Sequence, residues 1–320
     1  MKLQTSVPLD EAKNPLDYNS KVVLIGSCFS QNIGAKLDYF KFQNLQNPFG
    51  VLFHPLAIEN VLKRAISGKA YQADEVFEQG GIWSCFEAHS QLNGHSQEQI
   101  LKNLNEGLEK TASCVKAASH VFITLGTAWA YQLNATAKYV ANCHKVPQKE
   151  FAKKLLSIDE IVNSLQNSVN LLQSVGCEKQ IVFTISPVRH LKDGFIENQR
   201  SKANLVNAVH AVLLSQTPSD KLSYFPSYEI MMDELRDYRF YEKDMVHPNE
   251  LAIDYIWDKF KSSWISENVY DVMHKVETIQ KGIAHRPFNS NSQAHKSFEK
   301  DLQSKIEYLQ KNYPTINFDR

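Results

Sequence analysis

The sequence lacks any apolar run long enough to cross a bilayer, and its first ten residues carry Lys2 but no apolar stretch of signal-peptide length. The expectation is a cytoplasmic protein with no membrane partner. An excess of either charge is also missing: Lys+Arg number 35 and Asp+Glu number 35. No bulk positive field therefore draws the chain to nucleic acid, and a small-molecule substrate is the expected partner. Cysteine is sparse and scattered, at Cys28, Cys85, Cys114, Cys143 and Cys177, without the paired spacing of zinc or redox sites. Most of these are expected to be buried, reduced thiols. There is no HExxH and no compact Cys/His cluster, so no metal is expected, and no GxGxxG or GxxxxGK(S/T) follows a strand, which argues against nucleotide sites. No cofactor is expected. The sequon at Asn134-Ala135-Thr136 has no secretory context and reads as turn chemistry. Internal repeats and low-complexity tracts are absent.

What is present is enough apolar residue, 43% of 320, to fill a sizeable core. Four short apolar runs, 21–26, 121–126, 181–186 and 222–226, read as fully buried strands. Between them, segments 56–67, 97–119, 157–175 and 199–214 have helical spacing. Strand and helix alternate, which predicts a doubly wound, three-layer α/β/α sandwich around a parallel central sheet, with right-handed crossovers. A further strand is expected at 41–46, and hairpin insertions at 82–86 and at 129–133 with 138–142, walling a cleft at one sheet edge. Pro248 is placed in the first turn of a last helix whose Leu251, Ile253, Ile256, Trp257 and Phe260 form the core-facing stripe. Residues 1–267 are thus read as the main domain, and every residue nominated below for chemistry falls within it. Residues 268–320 turn polar, with a helix at 297–311, and read as a C-terminal helical appendage.

Gly26-Ser27-Cys28-Phe29-Ser30 follows the first strand directly, where ligands bind in open parallel sheets, so position nominates Ser27, Cys28 and Ser30. A helix around 31–37 would aim its free N–H groups and dipole at this turn, an environment that lowers a thiol's pKa and stabilises an oxyanion. The bland reading makes Cys28 a small buried hydrophobe and Ser27 a helix cap. The second feature is Asp244-Met245-Val246-His247-Pro248. A carboxylate three residues before a histidine can accept the imidazole Nδ1–H and leave Nε2 free to take a proton. Taken alone, His247 could equally cap a helix or lie on the surface. Together, a nucleophile after the first strand and an acid–base pair before the last helix bring both chain ends to one edge.

These strings, with Asn47-Pro48-Phe49-Gly50, Phe53-His54-Pro55 and Ser186-Pro187-Val188-Arg189-His190, resemble the GSCFA-domain family over about residues 20–262. That family is placed in the SGNH/GDSL hydrolase superfamily, so the resemblance implies an SGNH-hydrolase-like fold with flavodoxin-like strand order and a catalytic Asp-x-x-His, here Asp244 and His247. Laying the superfamily's Gly-Asp-Ser-Leu block on Gly26-Ser27-Cys28-Phe29 puts Cys28 at the nucleophile position, with Ser27 second. The resemblance likewise makes Gly50 of Asn47-x-x-Gly50 an oxyanion donor. The superfamily's Gly-x-Asn-Asp block is not matched: Gly126 is followed by Thr127, Ala128 and Trp129, so the usual asparagine is missing. Thr127, Asn142 or His144 could replace it, or serve only as turn residues. His54 and Arg189-His190 lie on the presumed active edge. Arg189 could hold a substrate carboxylate or phosphate, or pair with Asp193 or Glu197.

The expected function is hydrolysis of a small-molecule acyl ester through an acyl-enzyme intermediate. Trp83, Trp129 and Tyr131 would line a pocket for an acylated sugar, or else belong to the core. The competing readings are an acyltransferase using the same residues and, because of the missing asparagine, a non-catalytic ligand-binding module.

Overall fold

The computed structural model describes residues 4–176, 178–215, 221–289 and 292–318; Cys177 lies outside them. Strand β1 (Lys21–Gly26) leads into helix α1 (Cys28–Tyr39), and β2 (Gln43–Gln46) into α2 (Pro55–Ser67). A hairpin of β3 (Phe77–Gln79) and β4 (Ile82–Ser84) precedes α3 (Gln97–Ala117) and β5 (His120–Leu125). Strands β6 (Trp129–Leu133), β7 (Tyr139–Val140) and β8 (Phe151–Leu155) form a small antiparallel sheet before α4 (Ile158–Ser174). After β9 (Gln180–Ile185), α5 (Phe195–Ser215) and β10 (Leu222–Phe225), the short α6 (Ser227–Glu229) runs into a π turn at Ile230–Glu234. Helices α7 (Glu250–Trp264), α8 (Tyr270–Ala284) and α9 (Gln293–Asn312) close the chain.

The main sheet has the order β10-β9-β5-β1-β2 and every neighbouring pair is parallel. This is the flavodoxin-like order of a three-layer α/β/α sandwich. Strands β5 and β9 are buried at every residue, as strands covered on both faces must be. Side chains alternate between two cores: Val23 and Ile25 pack with α2 to α5, whereas Val22 and Leu24 pack with α1, α7 and α8. From β1 the chain steps outward to β2 and then returns to β5 on the other side. That reversal opens a crevice at the carboxyl ends of β1 and β5.

Differences from the sequence reading have local causes. Helix α1 starts at Cys28 itself, because Ser27 caps it. Pro248 stands before the cap and not in the first turn, since Asn249 Oδ1 accepts the Ala252 N–H at 3.1 Å. Strands β3 and β8 have no counterpart in the sequence reading; β8 is mostly exposed, with lysines at its centre and apolar residues only at its ends, so it shows no alternation. Helix α8 lies in the segment that reads as a polar helical appendage, and its Val272, Met273, Val276 and Ile279 fill the same core as α1 and α7. Among the described residues, no helix is long and apolar enough to cross a membrane.

Candidate active site

The turn between β1 and α1 is welded to its surroundings. Gly26 has φ +136°, and a Cβ there would lie 2.0 Å from Thr124 O, so only glycine lets the chain pass. Asn47 Oδ1 accepts the Gly26 N–H (2.9 Å) and its Nδ2 donates to Ser27 O (3.3 Å). The Ser27 N–H reaches Thr124 O at 3.0 Å and the Leu52 N–H reaches Gly26 O at 2.9 Å. Within this frame the two adjacent candidates face different ways. Ser27 is fully buried and its Oγ accepts the Phe29 N–H at 3.3 Å, whereas Cys28 is partly exposed in the first turn of α1. Ser30 is buried on Thr124 Oγ1 (2.8 Å). Burial raises the Cys28 thiol above its ordinary pKa. It outweighs the N–H groups of Cys28 and Phe29 and the Lys202 charge, which pull the other way. The lowered pKa expected from the helix end alone is therefore not realised, and the resting group is the thiol.

The second half of the site comes from residues 244–247. Asp244 Oδ2 accepts the His247 Nδ1–H at 2.6 Å, and Oδ1 accepts the backbone N–H groups of Val246 (2.8 Å) and His247 (3.0 Å). The carboxyl is held down to about 2, first by the His247 N–H, then by the imidazole and the Val246 N–H. It is thus ionised throughout the neutral range. The loop carries strain: Met245 has φ +57°. Arg189 latches it, its Nη2 donating to Met245 O and its backbone N–H to Val246 O, with the guanidinium over Tyr241 at 4.4 Å. Asp193, one of the two partners suggested by sequence for Arg189, pairs instead with Lys153. The imidazole is half-exposed, and among the described residues no hydrogen bond joins it to Cys28.

Between these halves lies a residue that sequence reading missed. Lys202 on α5 is 1% exposed, and its Nζ donates to Gly126 O (2.8 Å) and Ser186 O (2.7 Å), tying the ends of β5 and β9. Burial pushes it down to about 7, against the Cys28 and Glu229 charges that favour the ammonium. The available signal was positional: Asn198, Ser201, Lys202 and Leu205 share the buried face of α5, so a lysine occupies a core position. Close by, His190 Nε2 is buried without a hydrogen-bond partner among the described residues, and the ring meets Phe53 edge-on at 5.4 Å. Burial, then the Lys202 and His247 charges, push this imidazole down to about 3.

A cleft of about 530 Å³ opens here, lined by Phe53, Thr127, Trp129, Asn142, His190 and Val246 among others. Not every sequence-nominated donor is free to serve it. The Gly50 N–H is spent on Asn47 O (2.8 Å). Thr127 Oγ1 engages Ser201 (2.9 Å) and accepts the Trp129 N–H (3.1 Å). His144 Nε2 sits on the carbonyls of Cys85 and Ala88. His54 caps α2, its Nδ1 taking the Ala57 N–H and its Nε2 facing Val140 O. Asn142 lines the cleft, while its Oδ1 accepts the His144 N–H at 2.9 Å. Tyr131 also lines it, with Lys153 over its ring and that of Trp129; Trp83 is not among the lining residues. Among the described residues, no group of three or more His, Cys, Asp or Glu could hold a metal ion.

The fold and these loops define a doubly wound α/β protein with a thiol at its switch point and a carboxylate–imidazole pair on the same edge. The family model for the GSCFA family matches residues 21–260, and the chain belongs to that family. The model for the GSCFA domain protein C-terminal domain matches residues 276–320. No curated protein matches the sequence. Among solved structures, the chain is similar to an acetyl esterase mutant with acetate ion (TM-score 0.36, 11% identity, covering 80% of this chain and 99% of that one). It is also similar to a carbohydrate esterase family 3 protein from Talaromyces cellulolyticus (TM-score 0.36, 8% identity, 80% of this chain, 98% of that one). A third is an acetyl xylan esterase from the rumen bacterium Butyrivibrio proteoclasticus (TM-score 0.38, 11% identity, 78% of this chain, 65% of that one).

Proposed function

We propose that the protein is an SGNH-type acyl-ester hydrolase with Cys28 as nucleophile, His247 as general base and Asp244 as the group that orients it. The observation that carries this reading is the 2.6 Å Asp244–His247 contact on the sheet edge where Cys28 begins α1. Asp244 fixes the proton on Nδ1, so Nε2 is the basic nitrogen. Because the resting thiol is protonated, His247 must remove its proton as sulfur attacks the ester carbonyl. The carbonyl π electrons move to oxygen; the tetrahedral intermediate then expels the alcohol oxygen, which leaves with the proton from His247. A thioester on Cys28 results. Water, deprotonated by His247, attacks that thioester, and collapse returns the carboxylic acid and the thiol. The cleft, with its aromatic and polar lining, would receive a ring-bearing alcohol portion such as an acylated sugar. Cys28, Cys85, Cys114 and Cys143 are all free thiols, which suits a reducing compartment such as the cytoplasm.

One observation favours a second reading, the non-catalytic binding module: the Gly50 and Thr127 donors are committed to local structure. Release of p-nitrophenol from short-chain p-nitrophenyl esters separates the two. Hydrolysis predicts turnover that is lost in His247→Ala. A folded protein that turns over none of several esters supports the binding module. Turnover that rises only with an added sugar or amine acceptor marks an acyltransferase.

A further inference from the structure

We propose that His190 is a catalytic residue, its Nε2–H being the hydrogen-bond donor that receives the oxyanion when Cys28 attacks the ester carbonyl. The proposal rests on the acyl-transfer reading above and supplies a donor at the place where Thr127 and Gly50 do not. A buried nitrogen with no partner is costly, and at a cleft a catalytic role is one of the reasons such an atom is retained. His190 Nε2 is such an atom. It lies 3.3 Å from where a Cβ on Gly126 would stand, just past the carboxyl end of β5. That strand end adjoins the Cys28 turn, since β1 and β5 pair with Gly26 opposite Thr124. Phe53 meets the ring edge-on, and Asn198 Oδ1 anchors the residue's main chain by accepting the His190 backbone N–H at 2.8 Å. It also lines the cleft beside Val246, one residue from the proposed base.

The charge state suits the task. His247 becomes an imidazolium as it takes the thiol proton, and Lys202 is an adjacent cation whenever it is protonated. A neutral His190 donates a hydrogen bond without adding a third positive charge or competing for the proton in transit. The oxyanion forms on the ester carbonyl oxygen, accepts the Nε2–H hydrogen bond without taking its proton, and loses that charge when the alcohol leaves.

Two reactions of Cys28 separate this role from a merely structural one. Iodoacetamide alkylates the thiolate without forming an oxyanion, whereas p-nitrophenyl acetate must pass through one. His190→Phe is expected to keep the alkylation rate within about twofold while acylation falls on the order of 100-fold, the cost of one oxyanion donor. His190→Gln, which restores an N–H, is expected to recover part of the loss. Equal rates of acylation in wild type and His190→Phe overturn the proposal, as does a parallel fall in both reactions, which would place His190 behind thiol ionisation. Wild type that alkylates but never acylates defeats the hydrolase reading and the proposal with it. If His190→Phe does not fold, ¹⁵N-histidine NMR of the wild type decides. Addition of a short-chain aldehyde, which the thiol captures as a hemithioacetal, should shift the His190 Nε2–H resonance, and an unchanged resonance counts against the role.

Discussion

Replacing Lys202 by methionine isolates a buried amine whose titration is written into the fold. Its folded pKa, about 7, lies below the ordinary 10.5 because burial disfavours the ammonium. Between those values the unfolded chain binds a proton that the folded chain does not, so stability rises with pH across that window. At about one proton and 1.4 kcal/mol per pH unit, the wild type gains about 2 kcal/mol from this group alone between about pH 7 and about pH 9. Below about 7 both states are protonated and that contribution is gone. Lys202→Met removes the slope. It also leaves Gly126 O and Ser186 O without the Nζ donor, at about 1–3 kcal/mol each, so the variant is expected to be less stable at the upper pH. Urea denaturation of both proteins at the two pH values gives the comparison, since titrating groups remote from Lys202 cancel in the difference. A wild-type advantage growing by about 2 kcal/mol is expected. Parallel pH dependences would refute the claim that this amine is buried and depressed.

Asp244→Asn keeps the shape of the loop but lets the imidazole take the wrong tautomer, so kcat on p-nitrophenyl acetate should fall on the order of 10⁴-fold with KM little changed. Since the Asp244 carboxyl is held at about 2, it contributes no acid limb above about pH 4, and an acid limb from Asp244 in the pH–rate profile would contradict its hydrogen bonding. Gly26→Ala must move the Thr124 carbonyl, and a loss of about 4 kcal/mol or more is expected by urea denaturation; a loss under about 1 kcal/mol would show that the turn yields.

The sandwich was legible because its strands are strongly apolar over short lengths. Val22 to Ile25 and the runs around Ile123 and Phe183 can only be buried on both faces, and the helices between them repeat at the helical period. Weak elements escaped for the corresponding reason: β8 alternates nothing apolar around Lys153 and Lys154, and the buried stripe of α8 is interspersed with His274, Lys275 and Glu277. Within the site, the Asp244–His247 pair is local in sequence, so its geometry could be anticipated. The division between Ser27 as cap and Cys28 as partly exposed thiol could not be read from two adjacent residues, because it depends on where α1 begins. Gly50 illustrates the opposite limit. Its N–H closes a turn on Asn47 O, a three-residue contact that a motif does not encode. Lys202 and the unpaired His190 nitrogen exist as site features only because α5 crosses beneath the ends of β5 and β9.

The most direct test of the account is to locate the acyl group. Wild type, Cys28→Ala, Ser27→Ala and His247→Ala are exposed briefly to p-nitrophenyl acetate, quenched in acid, and examined by intact-mass and peptide mass spectrometry. The account predicts one acetyl adduct in wild type, mapped to Cys28, absent from Cys28→Ala, and slowed on the order of 10³-fold or more in His247→Ala. It also predicts that folded Ser27→Ala still acylates. An adduct that maps to Ser27, or that persists in Cys28→Ala and depends on Ser27, would contradict it.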